Sequence, residues 1–171
     1  MIQKKICLLG NFAVGKTSLV RRYVDSLFSE EYQTTLGVKI DKKTLSIDGQ
    51  KMAMILWDVQ GEDHAQDILP AYLQGMAGYL LVVDPTREYT MTNAILLKSQ
   101  INESLGQVPF VVALNKCDIK EQWDISDEVR SYLTAGALAV VETSAKSGEG
   151  VEECFEALAS EFLPTASGAT S

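Results

Sequence analysis

Apolar residues along the chain fall into two periods that take turns. Short runs at Ile6–Leu9, Met52–Trp57, Tyr79–Val83, Phe110–Leu114 and Leu138–Val141 predict strands. Four of these runs are almost continuously apolar, as parallel strands covered on both faces require. The segments between them have helical spacing. Leu19, Val20, Tyr23, Val24 and Leu27 share one face, as do Ala94, Leu97, Ile101 and Leu105, and later Val151, Cys154, Phe155, Leu158 and Phe162. Strand alternating with helix predicts an α/β fold, a parallel sheet with helices on both faces.

One stretch breaks the alternation. Val38–Ile47 reads as a more polar strand, Asp48-Gly49 as a turn and Lys51–Trp57 as the returning strand. This hairpin predicts one antiparallel edge strand added to the parallel sheet. Lys39, Lys42 and Lys43 suit an edge, where charge discourages pairing with other chains. The final segment, Pro164–Ser171, has no periodicity and is expected to be a disordered tail behind one domain spanning residues 1–163.

Composition narrows the function more than the fold. The chain has 171 residues, 46% of them apolar, enough for one self-sufficient core. A net charge of −8 argues against a nucleic-acid partner, because phosphate contacts usually demand a basic excess. Three scattered cysteines (Cys7, Cys117 and Cys154) and the single His64 argue against a zinc site and fit a reducing cytoplasm. No apolar run approaches the roughly 18 residues of a membrane span. The first residues lack a signal peptide's apolar segment, and the last ones carry no cysteine for prenylation. A cytoplasmic monomer with no direct lipid anchor is the resulting expectation.

The chemistry begins at Gly10-Asn11-Phe12-Ala13-Val14-Gly15-Lys16-Thr17, between the first predicted strand and the first predicted helix. Gly-x4-Gly-Lys-Thr in that context is a phosphate-binding loop. Its glycines let backbone N–H groups wrap a phosphate, and the helix N-terminus adds its positive end. Asn11, Ala13, Val14, Gly15, Lys16, Thr17 and Ser18 are the candidate nucleotide-binding residues of this segment. Lys16 would bridge the β- and γ-phosphates, and Thr17 would ligate Mg²⁺. The octet alone leaves ATP or GTP, and kinase, ATPase or switch, open.

Asp58 follows the apolar Met54–Trp57, at the carboxyl edge of the sheet where open α/β folds bind ligands. An acidic residue there holds Mg²⁺, usually through water. Gly61, without a side chain, would let its N–H approach a γ-phosphate. Asn115-Lys116-Cys117-Asp118 follows the strand Phe110–Leu114. An aspartate can accept from both the ring N–H and the amino group of guanine, and adenine offers no such pair. Thr143-Ser144-Ala145-Lys146 follows the last strand, and the Ala145 N–H is placed to donate to a guanine carbonyl. Each short motif is weak alone. Together, in chain order and all at strand carboxyl ends, they point to a guanine nucleotide.

On these residues the chain resembles the Ras-like small GTPases, and their Rab branch most closely. The resemblance spans about residues 2–163 and rests on Gly10–Thr17, Thr35, Trp57-Asp58-x-x-Gly61, Asn115–Asp118 and Ser144–Lys146. It implies a three-layer P-loop NTPase fold. The sheet would be mixed and six-stranded, with five parallel strands, one antiparallel edge strand and about five helices. It also implies GTP and GDP binding, Mg²⁺, a switch cycle, and effectors, exchange factors and GTPase-activating proteins as partner classes. Phe28 is similar to the aromatic that packs on guanine, with the Lys116 stem on the other side, and Tyr32 to the tyrosine that lids the phosphates. Thr34-Thr35-Leu36-Gly37 resembles the Rab switch segment, with Thr35 a Mg²⁺ ligand only while the γ-phosphate is present.

The sequence departs from that family in two places. The pattern Asp-Thr-Ala-Gly-Gln-Glu becomes Asp58-Val59-Gln60-Gly61-Glu62-Asp63, so Glu62 replaces the glutamine that positions water. An ionised glutamate cannot donate to a phosphate and sets negative charge beside it. Phe12 stands where glycine or serine is usual and crowds the space of an arginine finger, a device worth 10³–10⁵ in rate. Slow GTP hydrolysis is the expectation. Lys16, Thr35, Glu62 and Gln60 are the candidate catalytic groups, Gln60 as a substitute for the missing glutamine, and His64 is a further substitute. A nucleotide-locked pseudo-GTPase and a P-loop kinase are the alternatives. The kinase lacks an arginine-rich lid, since the only arginines are Arg21, Arg22, Arg87 and Arg130. Tyr72 and Leu73 are open to two readings, an exposed partner patch or packing on the sheet.

Overall fold

The computed structural model describes residues 1–24, 31–33, 38–59 and 71–163, with 31–33 described by backbone alone.

The elements run β1 (Ile2–Leu9), α1 (Lys16–Val24), β2 (Glu31–Gln33), β3 (Val38–Ile47), β4 (Gln50–Val59) and β5 (Gly78–Val83). They continue with α2 (Glu88–Leu105), β6 (Phe110–Leu114), a 3₁₀ helix (Cys117–Gln122), α3 (Asp127–Thr134), β7 (Ala139–Glu142) and α4 (Val151–Phe162). Ala71 and Tyr72 are also helical. The sheet order is β2-β3-β4-β1-β5-β6-β7. The strands β4, β1, β5, β6 and β7 are mutually parallel and β3 is antiparallel to β4. The expected six-stranded mixed sheet is therefore present. The short β2 extends it, pairing antiparallel with Lys39–Asp41 of β3. The charged stretch read as an outer edge is thus covered by a further strand over part of its length.

Strand alternation sorts the core into two layers. Ile6, Leu8, Met54, Leu56, Leu80 and Val82 meet α1 and α4 on one face. Cys7, Leu9, Tyr79, Leu81 and Val83 meet α2 and α3 on the other. Tyr23 of α1 stacks on Phe155 of α4 with ring centroids 4.1 Å apart, which joins the two helices over the sheet.

Local departures from the sequence reading have simple causes. β1 begins at Ile2 rather than Ile6, because β4 is long enough to pair with Ile2 through Leu8. The two lysines that obscured this lay their chains on aromatic faces, Lys5 over Trp57 at 3.8 Å and Lys4 over Phe162 at 5.7 Å. The hairpin turn is as read. Asp48 and Gly49 both take positive φ, 51° and 80°, the pair of left-handed positions that a tight primed turn needs. Tyr72 and Leu73 are buried, which decides for packing against an exposed patch, and Leu73 joins the α2–α3 layer. Leu105 shares the apolar spacing of α2 but is exposed, because α2 ends there and Gly106 caps it with φ 77°.

Candidate functional site

Parallel strands deliver their carboxyl ends to one edge of the sheet, and the loops after β1, β4, β5, β6 and β7 all open there. The loop Gly10–Gly15 joins β1 to α1 and curls tightly. Gly10 passes so close to β5 that a Cβ would sit 2.3 Å from the Val82 carbonyl oxygen. At Gly15 a Cβ would sit 2.2 Å from Asn115 Nδ2. Both glycines are required by close approach, as the motif demands.

Inside the curl, Lys16 is buried and its Nζ donates to the carbonyls of Gly10 and Asn11, each at 2.9 Å. Burial pulls its pKa down to about 8, and the Asp58 charge acts in the opposite direction. Such a cation gains strongly from an arriving polyanion. Lys16, Thr17 and Ser18 form the first turn of α1, whose N–H groups have no intrahelical partner and are available to an anion. A cavity of about 170 Å³ is lined by Phe12, Ala13, Gly15, Lys16, Thr17, Ser18 and Asp58.

The fit to Mg²⁺ follows from one orphaned atom. Thr17 Oγ1 donates to Asp58 Oδ2 at 2.5 Å. Asp58 Oδ1 is buried and, among the described residues, has no hydrogen-bond partner. A buried carboxylate oxygen without a partner is costly, and a hard divalent cation beside a threonine hydroxyl would satisfy it.

A second cavity of about 380 Å³ shares Gly15 and Ser18 with the first and is also lined by Lys116, Asp118, Ala145 and Lys146. Asn115 knits its floor. Its Nδ2 donates to the Val14 carbonyl at 2.8 Å, and its Oδ1 accepts from Thr143 Oγ1 at 3.0 Å. Three loops far apart in sequence are thereby locked together by one buried amide. Ser144 Oγ donates to Asp118 Oδ1 at 2.8 Å and so orients an exposed carboxylate on the cavity wall. Lys116 takes a left-handed backbone, φ 69°, held where Trp123 Nε1 donates to its carbonyl at 3.1 Å.

Residues 5–163 match the model of the Ras family. The chain belongs to that family. It is 32% identical to the human Ras-related protein Rab-8B over 161 residues, covering 93% of this chain and 78% of that one. It is 33% identical to the Ras-related protein SEC4 of Saccharomyces cerevisiae, covering 91% and 73%, and 32% identical to Rab-1D of Dictyostelium discoideum, covering 91% and 77%. These matches place it among Ras-like small GTPases of the Rab branch, and membership supports a GTP-binding switch GTPase.

In this Rab-branch chain the structure brings together Asn11, Ala13, Val14, Gly15, Lys16, Thr17, Ser18 and Asp58 with Asn115, Lys116, Asp118, Ser144, Ala145 and Lys146 around two adjoining cavities. Phe28, Thr35, Gln60, Gly61, Glu62 and His64 lie outside the described residues, as does the Tyr32 side chain. Phe12 is 70% exposed and lines the smaller cavity together with Lys16 and Asp58.

The sequence reading passed over Asp84. This carboxylate follows the apolar strand β5, just as Asp58 lies near the end of β4, so the same rule would have found it. It is fully buried and forms ion pairs with Lys116 at 2.8 Å and Arg87 at 2.9 Å. Burial alone would raise its pKa. Hydrogen bonds from Lys116, Thr86 and Arg87 outweigh that and hold it below the ordinary carboxylate value. A carboxylate depressed on folding adds stability that is complete above its unfolded pKa, near 4, and fades as pH falls through the folded value. Asp84→Asn is expected to cost about 1.5–3 kcal/mol at pH 7, the scale of hydrogen bonds to a charged group. Urea melts at pH 7 and pH 3 check this: the difference between wild type and D84N should shrink at the lower pH.

Proposed function

We propose that the chain binds GTP and GDP with Mg²⁺ and hydrolyses GTP slowly, acting as a molecular switch read by effectors. Residues 1–163 would form its single nucleotide-binding domain. The observation that carries this reading is the pair of adjoining cavities that share Gly15 and Ser18. One is lined by a buried cation and a carboxylate with an orphaned oxygen, the other by an oriented carboxylate suited to guanine. Polyphosphate, metal and base each have a matching partner.

Gly15, Lys16 and the α1 N-terminus would hold the phosphates, and Thr17 and Asp58 the metal. Bound Mg²⁺ would neutralise charge on the β- and γ-phosphates. Asp118 and the Ala145 N–H would select guanine, with Lys146 beside them. Phe28 and the Lys116 stem would sandwich the base. Thr35 and Gly61 would sense the γ-phosphate, and its loss on hydrolysis would release their loops. Exchange factors, activators and effectors would act on those loops, with the protein a cytoplasmic monomer. No helix among the described residues is long and apolar enough to cross a membrane.

The slow step follows from Glu62, which can accept from the attacking water but cannot donate to the γ-phosphate. Single-turnover hydrolysis is expected below about 10⁻² s⁻¹ unaided, the level reached when an arginine finger is supplied in cis. Glu62→Gln should raise it about tenfold or more, and Phe12→Gly should restore the response to an arginine-finger activator. A fast wild type, or a slower E62Q, would overturn this account. GTP retained unchanged over a long incubation would favour the nucleotide-locked reading instead.

A further inference from the structure

Arg87, just ahead of α2, donates from all three nitrogens of its guanidinium. Nε donates to Asp84 Oδ2 at 2.9 Å, Nη1 to the Tyr89 hydroxyl at 2.7 Å, and Nη2 to the Phe12 carbonyl oxygen at 3.3 Å. Asp84 Oδ2 also takes Lys116 Nζ at 2.8 Å, and its Oδ1 accepts the Thr86 N–H at 3.0 Å and the Thr86 hydroxyl at 2.6 Å. The carboxylate is therefore saturated and cannot swing away. A continuous chain of contacts results: Phe12 carbonyl, Arg87, Asp84, Lys116. It joins the phosphate loop to the base-binding loop by a route that does not pass through the nucleotide.

This route complements the one through Asn115. Asn115 grips the phosphate loop at Val14, on its buried side. Arg87 grips it at Phe12, on the exposed side. The brace has a charge consequence as well. Two cations share one carboxylate, which leaves one net positive charge beside the phosphate loop. Only a planar fork reaches Asp84, Tyr89 and Phe12 at once; an ammonium is a point donor on a flexible stem.

The geometry points to Arg87 as a positioning residue that braces the phosphate loop at Phe12 against Lys116 through Asp84, and so prolongs the residence of bound guanine nucleotide. This rests on the guanine-nucleotide reading given above. Arg87 itself touches no substrate in this scheme. It acts by keeping the phosphate loop and Lys116 in register, so that a loop opening at one end is resisted from the other.

The test is release of a fluorescent methylanthraniloyl-GDP, with Mg²⁺ and excess unlabelled GDP, from wild type, R87A, R87K, K116A and R87A/K116A. R87A should release about tenfold faster, the scale of one charge-assisted hydrogen bond. R87K should fall between R87A and wild type, since lysine restores the charge but not the fork. R87A/K116A should fall at least threefold short of the product of the two single effects, because both act on one chain of contacts. R87A releasing at the wild-type rate, or single effects that simply multiply, would overturn the brace while leaving nucleotide binding intact. Wild type that captures no labelled guanine nucleotide would overturn the nucleotide reading, and the brace with it.

Discussion

Asp118→Ala is expected to lower the affinity for GTP and GDP by about 10³ and to erase the preference over ATP. The carboxylate would accept from two donors on one edge of guanine, and a hydrogen bond to a charged group is worth about 1.5–3 kcal/mol. Two of them give a loss of that order, and a site built for a donor pair rejects a base lacking it by a comparable factor. The fold should hardly notice. Asp118 is exposed, and Ser144 Oγ is its hydrogen-bond partner on the cavity wall. Calorimetry on nucleotide-stripped protein checks both parts. Unchanged GTP affinity in D118A, or equal affinity of wild type for GTP and ATP, would dismantle the guanine assignment.

Lys16→Met should lose about 10³ in nucleotide affinity while leaving the free protein close to wild type in stability. The two effects separate because the free protein bears the cost of a buried ammonium, visible in a pKa pulled down to about 8 by burial. Removing a buried charge in favour of an apolar chain of similar volume is often neutral or stabilising. Against that stands the loss of a donor to the Gly10 and Asn11 carbonyls. These opposing terms should leave the melting temperature of the free protein within about 4 °C of wild type, roughly 1–2 kcal/mol for a domain of this size. Only with phosphate present does the missing cation go uncompensated. A K16M protein that still binds GDP at wild-type affinity would show that the curl around Lys16 is structural rather than a phosphate site.

How far the sequence could be read differs between parts of the molecule. Elements carried by local pattern were legible: the apolar run Phe110–Leu114 is a strand over the same five residues, and Asp48-Gly49 makes the hairpin turn. A segment's own pattern falls short or leaves two readings open where the partner, not the segment, decides. Lys4 and Lys5 belong to a strand because β4 pairs with them, and Leu73 is buried because the α2–α3 layer reaches it. Asp84 sits at a strand's carboxyl end as Asp58 does, but its role is set by Lys116 and Arg87, which only the fold brings onto it.

By itself the sequence determined the chemistry available at each strand end: a glycine-rich curl with a lysine, a carboxylate near the end of β4, an amide and a carboxylate after β6, a small-residue loop after β7. Each is set by a handful of neighbouring residues. Which of these touch was decided only by the tertiary structure. Asn115 meets Val14 across 101 positions and Thr143 across 28, and Arg87 meets Phe12 across 75. Parallel strands make those meetings possible, since crossover helices return each chain segment to the same edge of the sheet. The order in which the strands lie side by side then fixes which loops become neighbours.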